Sequence, residues 1–460
     1  MRDQGTRCIT ADQAGTRGIR AGRAFPVCGP SRLCRNAAAA AAFLVAGAAH
    51  ALDRFPRPEF EGGHVIPTTS HPHPLPNVFA YVDVSVLVLA LAAAAYVALR
   101  RRSRPALLVL TCCSLAYFGF WRKGCVCAVG SVQNVMLALF DSSYALPATV
   151  LAFFLLPLVC ALLWGRVFCA AVCPLGALQD VTVWKPVRVP RWLAEALGMI
   201  PYLYLALALL FAATRSLFIV CAFDPFVSMF RLGGTAPVLV MGGCFLVLGL
   251  FVARPYCRFL CPYSVLLRWL SRLSWRHVTI TPDECIQCRL CEDACPFGAI
   301  RTPTEAHAAD SLRRELVRLG LLIALVPVLA LAGNLLGRQV SRPLSFFHPA
   351  VRLAAQFRLE ETGQLTTPSL YTEAARIHGA SVAAVYRDAE AVQKKFATGC
   401  MVMGCFIGAA LGVKLCILSV RRRRKDFEPD RGSCLSCGRC FSYCPRERVR
   451  RARLEGGTHA

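Results

Sequence analysis

Long apolar stretches separated by short basic ones set the organisation of this 460-residue chain. Apolar runs fall near 79–99, 106–121, 147–164, 199–221, 236–253, 315–336 and 398–420. At 1.5 Å per residue most of them can cross about 30 Å of hydrocarbon as helices, the run at 106–121 being the short one. The pattern predicts a mainly α, polytopic membrane protein of about seven transmembrane helices. Basic residues then set its orientation. Arg100, Arg101, Arg102 and Arg104 follow the first run. Arg166, Lys185, Arg188 and Arg191 follow the third, and Arg254, Arg258, Arg268, Arg272 and Arg276 the fifth. Arg421, Arg422, Arg423, Arg424 and Lys425 follow the seventh. Seven crossings put all four clusters on one face, which the positive-inside rule makes the cytoplasmic one.

The same pattern divides the chain. Residues 1–51 are a basic extension and an Ala-rich run ending Ala49-His50-Ala51, read as a signal peptide or a first helix. Residues 52–78 are a Pro- and His-rich external linker, in which His71 and His73 are weak copper candidates. A membrane core occupies 79–276, and a first ferredoxin half 277–313. A transmembrane hairpin takes 314–420, with a polar external cap at 337–397. A second ferredoxin half takes 421–460.

Composition changes the picture only in part. The chain is 56% hydrophobic, as a membrane protein should be, and its formal charge of +25 first suggests nucleic acid. Its arginines sit beside apolar runs instead, so no nucleic-acid partner is expected. Its 25 cysteines would suit a disulfide scaffold only if they were spaced otherwise.

Cys285, Cys288, Cys291 and Cys295 read C-x-x-C-x-x-C-x-x-x-C-P, and Cys434, Cys437, Cys440 and Cys444 repeat it. A zinc site favours two separated C-x-x-C pairs, whereas four thiolates in this run wrap a cubane. Two [4Fe–4S] clusters are expected. In two-cluster ferredoxins the fourth Cys of each run ligates the other cluster. The expected sets are therefore Cys285, Cys288, Cys291 with Cys444, and Cys434, Cys437, Cys440 with Cys295. A fainter repeat places Cys169 and Cys173, then Cys257 and Cys261, in C-x-x-x-C-P at the inner ends of two spans. These four thiols are enough for a third cluster, or else serve as redox thiols or a structural clasp. Cys125 and Cys127 form a C-x-C near the outer face, as metal ligands, electron-transfer groups or small apolar fillers. Cys112, Cys113, Cys160, Cys221, Cys244, Cys400, Cys405 and Cys416 read as apolar filler. No nucleotide-binding glycine motif, Walker motif or Gly-x-Ser-x-Gly is present, so no stand-alone hydrolase or nucleotide-driven pump is indicated.

The segment from Trp121 to Asn134, WRKGCVCAVGSVQN, together with both C-x-x-x-C-P sites and both ferredoxin runs, resembles the membrane polyferredoxins of the NosR/NirI type. NapH-type quinol dehydrogenases are broader relatives. The resemblance spans roughly residues 80–446. It implies an inner-membrane electron carrier that takes electrons from quinol or a cytoplasmic donor toward a periplasmic respiratory reductase or its maturation, of the nitrous oxide reductase type. NosR proteins also carry a periplasmic domain with covalent flavin; the segment 52–78 is too short for one, so any flavin is expected on a partner. Two other readings compete. One is a metal-reducing assembly factor for a copper enzyme, with His71/His73 or Met401/Met403 as copper ligands. The other is a redox-sensing regulatory membrane protein.

Overall fold

A computed structural model describes residues 77–124, 127–281, 285–304, 312–365, 368–420 and 424–456. The N-terminal extension, His71, His73 and Cys125 lie outside the described residues. The protein is mainly helical and membrane-embedded. Five helical stretches are long and apolar enough to cross a bilayer: Val78–Arg101, Arg104–Trp121, Arg191–Ala213, Arg313–Ser345 and Val382–Ser419. The runs expected at 147–164 and 236–253 form helices of 17 and 16 residues, Ala148–Trp164 and Ala236–Phe251. A further apolar helix, Ala128–Phe140, has no counterpart among the seven runs.

In chain order, α1 (Asn77–Tyr96) and α2 (Arg104–Ser114) each continue into a wider turn, ending at Arg101 and Trp121. Next come α3 (Ala128–Phe140), α4 (Ala148–Trp164) and α5 (Pro174–Thr182), then α6 (Ile200–Ala213), α7 (Ala236–Phe251) and α8 (Tyr263–Arg272). α3 packs against α4 and α6, so this short helix belongs to the bundle interior. The segment 168–172 packs against α1 and α2, and α5 returns along α2.

The hairpin helices α9 (Leu312–Ser345) and α10 (Val382–Ser419) have 34 and 38 residues. At 1.5 Å per residue they are about 51 and 57 Å long, well beyond the hydrocarbon thickness. They therefore run unbroken through the boundaries expected at 337 and 397. Small residues allow their contact: a Cβ on Gly333, Gly337, Gly404 or Gly408 would strike facing backbone. Beyond them, Pro349–Glu361 and Leu370–Ile377 close a small apolar core with α10 around Val351, Phe357, Ala375 and Val385.

The two ferredoxin halves meet although the hairpin separates them in sequence. β1 (Ile300–Arg301) pairs antiparallel with β2 (Glu428–Pro429), Ile300 opposite Pro429. Leu290–Asp293 packs on Arg439–Tyr443. The unit ends in α11 (Pro445–Gly456).

That unit is bolted to the arginine-bearing ends of the bundle. Arg102 is 6% exposed. Its Nε donates to Glu447 Oε1 at 2.7 Å, Nη2 donates to the carbonyl of Thr279 at 2.8 Å, and the guanidinium lies 4.9 Å from the Phe441 ring centre. Ser271 donates to the Arg431 carbonyl at 2.6 Å, and Arg431 donates to that of Ser274 at 3.1 Å. The inner arginines are thus not simply a solvated positive rim.

Candidate iron–sulfur centres

The two ferredoxin runs share an unusual backbone. In each, the residue before the second cysteine and the residue after it have positive φ: Gln287 (53°) and Arg289 (62°), then Ser436 (54°) and Gly438 (78°). These left-handed residues reverse the chain between cysteines and turn the sulfurs to a common side. Pro296 and Pro445 then lead the chain away.

The thiols assemble across the two halves. The electrostatic neighbours of the Cys291 thiol are Cys285, Cys288 and Cys444. Those of Cys440 are Cys434, Cys437 and Cys295. Each group thus takes three cysteines from one run and the fourth from the other. Cys285, Cys288, Cys291 and Cys444 line one small cavity with Ile286, Arg289, Asp426 and Arg446. Burial pushes the Cys291 thiol up to about 11 and the Cys434 thiol up to about 12. Metal binding here would release protons from thiols that are otherwise neutral. Among the described residues, no group of three or more His, Cys, Asp or Glu is arranged to hold a single metal ion. A cubane asks for a different arrangement, four thiolates spread around a cube.

The C-x-x-x-C-P sites also meet. Each closes with the same backbone bond: Cys173 N–H donates to the Phe168 carbonyl at 2.9 Å, and Cys261 N–H to that of Tyr256 at 2.8 Å. All four thiols are buried. Cys173 has Cys257, Cys169 and Cys127 as electrostatic neighbours, and Cys261 has Cys257, Cys169 and Cys127. Cys127 is therefore a fifth thiol of this group and not an outer-face residue, because the N-terminus of α3 is folded into the bundle. Cys160, read as filler, is buried with Cys169 as a neighbour.

Two arginines that the sequence offers only as orientation markers serve this group. Arg166 and Arg254 each stand three residues before the first cysteine of a site, in the repeat R-x-(Phe/Tyr)-C-x-x-x-C-P. That repeat was the available signal for Arg254. Arg166 reaches Cys169 Sγ at 3.9 Å and the Gly432 carbonyl of the ferredoxin unit at 3.3 Å. Arg254 is fully buried; it donates to the carbonyls of Cys169 and Ala170, the latter at 3.1 Å. Its other neighbours are Cys257 and Cys437. Gln179 Nε2 contacts Cys257 Sγ at 3.3 Å, and its Oε1 accepts from Tyr256 N–H at 3.0 Å.

Between the thiol groups lies Asp180, whose side chain is fully buried. Arg104, Arg439 and Arg254 approach it at 2.7, 3.3 and 3.4 Å. Arg104 also donates to the Cys437 carbonyl at 2.9 Å. A buried carboxylate ringed by three guanidiniums leaves net positive charge between the membrane thiols and the Cys437 group. That charge stabilises added electrons on either side. Arg439 is therefore paired, whereas Arg289 stays exposed.

Comparison with known proteins follows the same lines. Family descriptions named 4Fe–4S binding domain match residues 146–193 and 234–281, and separately 278–301 and 431–448. The first pair covers both C-x-x-x-C-P sites. The chain is 36% identical over 152 residues to protein NirI of Paracoccus denitrificans, covering 30% of this chain and 22% of NirI. It is 31% identical over 156 residues to YccM of Escherichia coli, covering 30% and 43%. It is 31% identical over 239 residues to the regulatory protein NosR of Pseudomonas aeruginosa, covering 46% and 32%. This chain is a relative of the NosR/NirI-type membrane polyferredoxins. Each alignment takes in less than half of the relative concerned. No solved structure matches. The matched 4Fe–4S binding domains and the apolar helices mark this chain as a membrane iron–sulfur electron-transfer protein.

Proposed function

We propose that the chain relays single electrons between quinol or a cytoplasmic donor and a periplasmic respiratory reductase, or the maturation of one, of the nitrous oxide reductase type. The observation that carries this reading is the succession of thiol groups. Cys285, Cys288, Cys291 and Cys444 would hold one [4Fe–4S] cluster, and Cys434, Cys437, Cys440 and Cys295 a second. Cys169, Cys173, Cys257 and Cys261 would hold a third, with Cys127 beside it. Such clusters supply one-electron chemistry with little rearrangement.

The protein's own contribution is positional. Positive-φ turns aim the sulfurs, Arg104 and Arg254 join the second group to the third, and buried walls exclude water. Among the relatives, YccM is named a putative electron transport protein, which supports the relay reading. Sidedness rests on the basic clusters, whose members Arg102, Arg104 and Arg166 all contact the ferredoxin unit.

Iron and sulfide counting with EPR on anaerobically purified protein tests the reading. About twelve irons per chain, reduced steadily by quinol or a low-potential donor, support it. About eight would remove the third centre, and no stoichiometric iron would reject the relay altogether.

A further inference from the structure

The two ferredoxin groups differ in access. Cys434, Cys437, Cys440 and Cys295 are all buried. In the other group Cys288 is exposed and Cys285 half-buried, and their cavity reaches the surface. Among its lining residues are an exposed apolar side chain, Ile286 (50%), and two exposed guanidiniums, Arg289 and Arg446; Leu290 (43%), next along the chain from Arg289, is also exposed. Asp426 is the carboxylate among the cavity's lining residues. α11 begins directly after Cys444 and adds exposed Arg448 and Arg453. An apolar spot framed by arginines, over the exposed Cys288, has the composition of a transient protein-docking face.

We propose that this face receives a soluble, acidic, one-electron carrier protein, whose electron would enter at the cluster that Cys285, Cys288, Cys291 and Cys444 would hold. This rests on the relay reading and names its donor. In that transfer the carrier would lose one electron and a [4Fe–4S] centre held by Cys285, Cys288, Cys291 and Cys444 would gain it, with no bond made or broken. Acidic carriers are favoured because positive charge at the mouth speeds encounter with an anionic partner, and salt weakens it. A lipid surface would use the arginines but not an exposed cluster ligand.

The test uses full-length protein in nanodiscs of neutral lipid, with iron content and the dithionite-reduced EPR spectrum recorded first. If those are missing the relay reading fails before donor choice is reached. Reduced acidic [2Fe–2S] ferredoxin is then mixed in by stopped flow. The proposal expects a second-order rate that falls at least about tenfold between low and high salt. It also expects a similar fall in the double variant Arg448→Glu, Arg453→Glu, whose exposed side chains lie outside the thiol-lined cavity, with unchanged iron and dithionite spectrum. The milder Ile286→Ser should slow the reaction without altering its salt dependence. Equal rates in wild type and the double variant would overturn the proposal, as would equally fast reduction by a basic carrier. So would binding of the basic face to anionic vesicles without any acceleration by the acidic carrier.

Discussion

The open and sealed ferredoxin groups are built from one motif, with the same left-handed positions, yet they occupy opposite solvent environments. The group at Cys434, Cys437 and Cys440 faces the bundle, with Arg104 on the Cys437 carbonyl and the Asp180 arginine ring behind it. The group at Cys285 and Cys288 faces outward beside exposed arginines and an exposed apolar side chain, Ile286. Local sequence thus sets how sulfurs wrap a cluster, while the packing partner sets what that cluster can exchange electrons with. A relay needs both kinds, one accessible and one coupled inward.

The comparison can be broken most severely at a ligand. Cys440→Ala should remove about four irons per chain and disconnect the open group from the membrane thiols, whereas Cys288→Ala should leave the sealed group's EPR signal in place. Iron assay and EPR on both variants check this. Next in size is the charge centre behind the sealed group. Asp180→Asn leaves three guanidiniums without their carboxylate and should cost about 3–5 kcal/mol, read as a large fall in thermal midpoint. Where enough folded protein survives, the sealed group's midpoint potential should rise.

A third effect is acid sensitivity on the sealed side. His277 has neither ring nitrogen hydrogen-bonded, and burial, helped by Arg431, lowers it from 6.5 to about 4. The folded protein therefore keeps His277 neutral where the unfolded chain takes a proton. Stability is fully present above pH 6.5 and falls as pH drops toward 4, by up to about 3 kcal/mol. Denaturation at stepped pH should show this loss, and His277→Gln should flatten it. The smallest effect lies at the open side: the exposed Arg188–Asp293 pair should contribute at most about 0.5 kcal/mol, so Asp293→Asn should leave the thermal midpoint nearly unchanged.

Much of this arrangement is legible from spacing alone. The apolar runs give the helical membrane class, and cysteine intervals give the ferredoxin turns, because both depend on local periodicity. Three features are not local. Cys127 reads as an outer residue because nothing in the sequence announces that α3 starts inside the bundle. The hairpin helices overrun 337 and 397 because polar residues can continue a helix beyond the bilayer without breaking it. Asp180 carries no motif; only the fold brings Arg104 and Arg254 to it, and Arg439 from 259 residues further along the chain. The repeated arginine three residues before each C-x-x-x-C-P was visible, and its meaning emerges once both copies are seen buried.

Anomalous scattering at the iron edge, from anaerobically crystallised protein, tests the central assignment most directly. The account requires one four-iron peak bounded by Cys285, Cys288, Cys291 and Cys444, and a second by Cys434, Cys437, Cys440 and Cys295. Iron enclosed within a single run, Cys285 to Cys295 or Cys434 to Cys444, would contradict it, as would a map without iron at either place.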